Sequence, residues 1–318
     1  MWYQKSKEQD MQKCVTNTRP LVAADLDRVV AIDRALLGSV RRDYFQRRLS
    51  AALSRPKQHL QLGVVADDGT LLGFLLCRRA GGEFGRLEKA VMLETLGVDP
   101  TAQHLGLGQR LLADAVTLCR TRGIQQIVFQ VDWRNESLIR FASRTGFVMS
   151  ARWVLERSVA RTSLPESEAL VPQETPFVRA LSRADFSAVC HIDRAQTGLD
   201  RTDYYERKFE EVLSESAIAV SLVAECEKTP AAFAMARVDF GSFGRVEPTA
   251  FLDTIGVQKN LAGHGYGQAL LVQLLDNLSA LHVERIETEV HFDHLNLLRF
   301  LYRFGFCPAQ RLSLQKNL

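Results

Sequence analysis

The stretch GHGYGQALL at residues 263–271 has a near copy earlier in the chain, LGLGQRLL at residues 105–112. Gly106, Gly108, Gln109, Leu111 and Leu112 each recur 159 residues later, as Gly265, Gly267, Gln268, Leu270 and Leu271. The echo continues outward. GEFGRLEKAVMLETLGV (82–98) aligns without a gap on GSFGRVEPTAFLDTIGV (241–257), and LIRFASRTGF (138–147) on LLRFLYRFGF (297–306), both at that offset. Upstream, IDRALLGSVRRDYF (32–45) pairs with IDRAQTGLDRTDYY (192–205) at an offset of 160, so one residue is gained or lost between. Solenoid repeats have periods of about 20–50 residues. A repeat spanning nearly the whole chain is instead a duplicated domain, and whatever one half folds into, the other must fold into as well.

The 318 residues suffice for two cores of moderate size. We read 1–16 as a polar tail, 17–158 as the first domain, 159–175 as a linker and 176–318 as the second domain. The linker region (ARTSLPESEALVPQETP, 160–176) is rich in proline, serine and acids, with little apolar periodicity. A net charge of only +3 sets up no field toward nucleic acid or an anionic membrane. The start of the chain lacks the apolar core of a secretion signal, and no apolar run is long enough to span a bilayer. The six cysteines are scattered without a C-x-x-C pair, which suits reduced thiols. A cytoplasmic protein without nucleic-acid or membrane partners is expected.

Within one copy the pattern is mixed α/β, in the order β-α-α-β-β-β-α-β-α-β. RPLVAAD (19–25) reads as a short strand running into a helix. Asp25–Leu37 and Arg41–Leu53 have helical spacing. HLQLGVVAD and TLLGFLLCRR form a hairpin around an Asp-Gly turn. KAVMLETLGV is a third long strand. Leu111, Leu112, Ala115, Val116 and Cys119 mark one helix face ending at Gly123. IQQIVFQV alternates as a strand, Asn135 can cap the next helix, and FVMSARWVLERSV (147–159) returns as one last strand.

A strand, a glycine turn and a helix start together make an anion site. The first backbone N–H groups of a helix have no intrahelical partner, the helix dipole adds partial positive charge there, and glycine lets an anion approach the backbone. The alternative is that the glycines only permit close packing of turn on strand. The spacing is neither G-x-G-x-x-G nor a loop ending in G-K-[ST]. Recurrence of the turn in the same context in both copies favours anion binding.

The first copy reads Val98-Asp-Pro100-x-x-Gln103-x-x-Gly106-x-Gly108, then an apolar helix, then Asn135 and Gly146-Phe147. This resembles the GNAT superfamily of acetyl-CoA-dependent N-acetyltransferases, whose pyrophosphate loop has the pattern [QR]-x-x-G-x-[GA], and the element order agrees with that fold. The resemblance covers both copies. It implies an α/β (α+β mixed sheet) architecture, duplicated, with acetyl-CoA or another acyl-CoA as co-substrate and no metal. It also implies that the fourth and fifth strands splay, so that Leu96, Gly97 and Val98, with Ile255, Gly256 and Val257 in the second copy, lie beside the pantetheine. Gln103, His104, Leu105, Gly106, Leu107 and Gly108 would cradle the pyrophosphate, with Asn135 nearby. Gly263, Gly265, Tyr266 and Gly267 would do so in the second copy. A backbone N–H of the fourth strand would stabilise the oxyanion formed as an amine attacks the thioester.

The second copy departs from the pattern at Ala262, in place of Gln or Arg, and at His294, in place of Asn. The family often uses a Tyr in the last helix as general acid. That position is Ala142 in the first copy and Leu301 in the second, with Tyr302 one residue late. One residue along a helix is a rotation of about 100°.

The attacking amine must be neutral, which calls for a base or a water relay. Glu94 and Asp253 occupy matching places on the fourth strand and are the candidate bases. An acid in an otherwise apolar strand is costly unless it faces a polar cleft or a partner, which is the case for a base; the alternative for both is a solvated sheet edge or a pair with a nearby Arg. The repeated Arg86/Glu88 and Arg245/Glu247 read as structural ion pairs. Arg41 or Arg201 is a candidate for holding an acceptor carboxylate or phosphate, with a solvated helix face locked by salt bridges as the alternative. HFDH (291–294) lacks a third metal ligand.

The expected function is acyl-CoA-dependent N-acyl transfer to a small-molecule or peptide amine, with the first copy catalytic and the second largely structural. The two copies would form an intramolecular pseudo-dimer, the chain itself being a monomer or weak homodimer. The alternative is a non-catalytic acyl-CoA-binding or sensing protein.

Overall fold

The computed structural model describes residues 15–85, 89–159, 176–215, 218–240 and 248–318. The first repeat comprises β1 (Val15–Pro20), α1 (Leu26–Leu37), α2 (Arg42–Ser54), β2 (His59–Ala66), β3 (Leu71–Ala80), β4 (Ala90–Val98), α3 (Leu107–Thr121), β5 (Gln126–Asp132), α4 (Glu136–Arg144), β6 (Val148–Met149) and β7 (Arg152–Ser158). The second comprises β8 (Phe177–Ala180), α5 (Phe186–Thr197), α6 (Thr202–Glu210), β9 (Leu222–Cys226), β10 (Thr229–Phe240), β11 (Pro248–Val257), α7 (Tyr266–Ala280), β12 (Arg285–His291), α8 (Leu295–Arg303), β13 (Cys307–Pro308) and β14 (Arg311–Asn317). The two repeats follow the same order, as the sequence predicts. Most of the expected linker lies outside the described residues.

Two details differ from the sequence reading. The first strand ends at Pro20, which has no N–H for the ladder. The next residues turn instead, with the Asp25 carboxylate accepting the Val22 N–H at 2.8 Å and pairing with Arg19. The stretch 147–159 is also not one strand. It breaks at Ser150 into β6 and β7, and the two pieces join different sheets.

Both sheets are mixed and have seven strands, in the orders β1-β2-β3-β4-β5-β14-β6 and β13-β7-β12-β11-β10-β9-β8. Each repeat therefore gives its last strand to the other's sheet. β14 lies antiparallel along β5 from Arg311 opposite Asp132 to Asn317 opposite Gln126, and β7 lies along β12 in the matching register. Two copies of one topology on a single chain allow such an exchange, since each sheet has the same place for a last strand.

In each repeat the sheet is covered on both faces. In the first, Val29, Ile32, Phe45 and Leu49 of α1 and α2 pack on one face with Phe74. Leu111, Leu112, Ala115, Val116 and Cys119 of α3 are buried against the other, at the spacing one helix face requires. Phe84 of the first repeat is buried in the second repeat's core, so the cores as well as the sheets interlock.

Candidate cofactor cleft and the charge cluster beside it

β4 pairs with its parallel neighbour β5 only over Ala90–Met92, and β11 with β12 only over Thr249–Phe251. Beyond those residues the strands part. A bulge marks the place: Thr95 faces Leu76 and Leu93 faces Cys77, leaving Glu94 as the extra residue. Asp253 is the extra residue between Thr254 and Leu252 in the second copy. An extra residue bends and twists its strand away from its neighbour. Asp99 donates its N–H to Leu72 O, toward β3, at 2.8 Å. Backbone direction alternates along a strand, so the N–H and C=O groups of Val98 and Leu96 face the gap. Gln258 donating to Ala231 O at 2.9 Å gives the same result for Val257 and Ile255.

The glycine turn closes the end of each gap. His104 and Gly106 both have left-handed backbone, with φ of 67° and 78°; Gly263 and Gly265 match them at 84° and 85°. Neither α3 nor α7 has a side-chain N-cap, so their first N–H groups are left for a ligand or water. Leu107 is buried, and Leu105 and Tyr266 pack partly on the cores, anchoring the turns. A Cβ on Gly108 would sit 3.5 Å from Phe141, 3.8 Å from Val98 and 3.9 Å from Leu96, so this glycine lines the gap. Gly267 has the same surroundings in Phe300 and Val257. This cradle of uncapped N–H groups beside an open strand edge fits a pyrophosphate and its amide-bearing arm.

The other expected residues sit around the start and body of the last helix of each repeat. Asn135 spends its side-chain oxygen on the N–H of Leu138 at 3.1 Å, capping α4. His294 stands at the matching cap of α8 without such a bond. Ala142 and Leu301 are buried at 1% and 0% exposure and Tyr302 is 60% exposed, so the tyrosine faces solvent away from the core.

Glu94 and Asp253 are buried beside the gaps, each held by two cations. Glu94 meets Arg48 and Arg78, both at 2.9 Å. Asp253 meets Lys208 at 3.0 Å and Arg237 at 3.2 Å. The ion-pair alternative left open by the sequence is the arrangement present in both copies. Arg78 and Arg237 are themselves 159 residues apart, and Arg48 and Lys208 are 160 apart. The repeat thus duplicates an acid with one helix cation and one strand cation, a signal readable from the sequence and missed there. Glu211 has no counterpart and ties the two sets together, reaching Lys208 at 2.5 Å, Arg237 at 3.1 Å and Arg78 at 3.4 Å. Burial pushes its carboxyl up, but these three cations outweigh burial and hold it well below the usual range. Nearby, burial first, and then Arg48 and Arg78, lower His59 to about 4. Across the seam Gln130 donates to Glu289 at 2.8 Å; these positions are also 159 apart, so a pseudo-twofold axis passes between them.

Arg41 is buried and bidentate on Asp33, its Nε at 2.9 Å. Arg201 is bound the same way to Asp193 and also donates to Gly82 O. Both guanidinium groups lock helix pairs through salt bridges, but these pairs are buried and do not form a solvated face. Arg86, Glu88, Arg245 and Glu247 lie outside the described residues. Among the described residues, no group of three His, Cys, Asp or Glu side chains is placed to hold a metal, and no helix is long and apolar enough to cross a membrane.

No curated protein matches the chain. Its fold is similar to that of a tandem GNAT protein from the clavulanic acid biosynthesis pathway, at 17% identity over 95% of this chain and 98% of that one, with a TM-score of 0.64. A GCN5-related N-acetyltransferase from Sphaerobacter thermophilus is similar at 17% identity over 95% of both chains, with a TM-score of 0.58. A glucosamine N-acetyltransferase region in a fungal multi-domain β-N-acetylglucosaminidase is similar at 16% identity and a TM-score of 0.65, over 95% of this chain but only 38% of that one. The acetyltransferase (GNAT) family profile matches twice, over residues 26–147 and 186–306. With both repeats matched, the chain belongs to the GNAT acetyltransferase family, in a tandem form.

Proposed function

We propose that this protein is an acyl-CoA-dependent N-acyltransferase that moves an acetyl group to a primary amine, with the first repeat taking the co-substrate and the second largely structural. The observation that supports it best is the gap beyond Met92, edged by the backbone of Leu96 and Val98 that β5 does not pair, and ended by the uncapped start of α3. The thioester supplies the activated acyl group. The chain's own part is to hold the pantetheine amides along β4 and the pyrophosphate on the turn Gln103–Gly108. The first repeat is favoured because it keeps Gln103 where the second has Ala262.

With Glu94 engaged by two guanidinium groups, we assign loss of the amine proton to water at the open strand edge, and assign Glu94 and Asp253 to fixing the cations that Glu211 ties together across the two repeats. The second reading, an acyl-CoA-binding or sensing protein, is favoured by the same ion pairs and by the absence of a tyrosine at Ala142 and Leu301.

Native mass spectrometry with acetyl-CoA, followed by turnover on a panel of amines, separates the two. One bound equivalent with turnover supports the transferase; binding with no acetylated amine supports the sensor. Gly108→Asp should abolish the bound equivalent, because a carboxylate would enter the anion cradle beside Phe141 and Val98. Gly267→Asp should leave it in place. Equal losses in the two variants would contradict the ranking of the repeats.

A further inference from the structure

The two gaps differ at one position that the repeat makes comparable. Leu36 and Gln196 correspond at the offset of 160 and stand near the C-terminal ends of α1 and α5. Leu36 lies over Gly97, its Cδ1 3.4 Å from where a Cβ would be. Gln196 lies over Gly256, its Oε1 3.2 Å from the same point, and its Nε2 donates to Val257 O at 2.5 Å. That carbonyl is one of the backbone groups facing the gap. In the first repeat the matching carbonyl, Val98 O, meets only a long contact of 3.4 Å from Gln103, near the limit of a hydrogen bond.

We infer that Gln196, together with the loop departure at Ala262, disfavours the co-substrate at the second repeat. Its carboxamide already satisfies the strand-end acceptor that an added pantetheine amide would use. An amide arriving there competes with the Gln196 donor for the gap-facing side of that carbonyl, whereas Leu36 offers no donor at the matching place. This rests on the reading that the first repeat is the co-substrate site, and it explains how one sequence pattern makes one site and not two.

The full chain is titrated with coenzyme A alone, counting bound equivalents by native mass spectrometry and measuring affinities by calorimetry. Gly108→Asp in the otherwise native chain checks the underlying reading: if binding survives it, the first repeat is not the site, whatever Gln196 does. Because Ala262 also departs from the loop pattern, A262Q serves as the background for the second site. A262Q/Q196L should bind a second equivalent about tenfold more tightly than A262Q, the value of one competing hydrogen bond. The reciprocal L36Q should weaken the first equivalent by a similar factor. The proposal is overturned if A262Q alone restores a full-strength second site, if neither variant takes a second equivalent, or if L36Q leaves first-site affinity unchanged.

Discussion

At the scale of single residues, Glu94 is the sharpest test. Breaking a buried ion pair by removing one partner typically costs about 3–5 kcal/mol, because a charge is left buried and uncompensated. Glu94→Ala should lose about that much, with Glu94→Gln milder, while turnover per folded molecule stays within about tenfold of wild type. Chemical denaturation and a rate assay on the same samples check it. A loss of about 10²–10⁴-fold at unchanged stability would make Glu94 the base after all. His59 gives a pH test. Its folded value of about 4 lies below the ordinary value of about 6.5, so the unfolded chain binds the extra proton between those values. The stabilisation from keeping His59 neutral is complete above about pH 6.5 and is lost as pH falls toward 4, amounting to roughly 3 kcal/mol. Melting temperatures at pH 7 and pH 4.5 should differ less in His59→Gln than in the native protein.

At the scale of elements, the loop after β3 locks the halves. Gly82 has φ of +106°, and a Cβ there would lie 2.0 Å from the ring of Tyr204 in the second repeat. The next residue but one, Phe84, enters the second core. Gly82→Ala should cost about 2 kcal/mol or more, from strain and overpacking together. Gly69→Ala, at φ +84° in open space, controls for the backbone term alone; urea unfolding of the two compares them, and equal costs would mean the ring contact is unimportant. Much of this level was legible in the sequence. Alternation, helix faces and the Asp-Gly hairpin placed nearly every element, and the glycine turn was found before the gap it closes. What was not legible depended on distant partners. Nothing local to Glu94 says that Arg48 and Arg78 converge on it, or that Glu211 reaches across from the other repeat. Nor does VMSARWV show its break at Ser150, because either half of that stretch has acceptable strand composition. The bond from Gln196 to Val257 is of the same kind, between residues far apart in the chain.

At the scale of the whole molecule, the exchanged strands make the two repeats one body. A protease site placed within 165–170 should, once cut, leave two fragments that still migrate together on a sizing column without denaturant. Each sheet keeps a seven-residue strand from the other fragment, and both Phe84 and the charge cluster cross the seam. Separation of the fragments under native conditions would show that the exchange does not hold in solution. The duplication was readable from a near-constant offset, but the exchange was not, since nothing local to β7 or β14 says which of the two sheets it joins.

The place of β14 between β5 and β6 also sets an order of events while the chain is being made. Ladder partners such as Asp132 and Arg311 are separated by more than a whole repeat, and contacts so distant in sequence form slowly. Until Arg311–Asn317 have left the ribosome, the first sheet has a vacant slot beside β5, with unpaired backbone on both sides of it. The N-terminal half, although synthesised first, is completed last. An exposed strand edge of that kind is where another chain can pair, so a ribosome stalled anywhere in the second repeat displays an open edge beside β5.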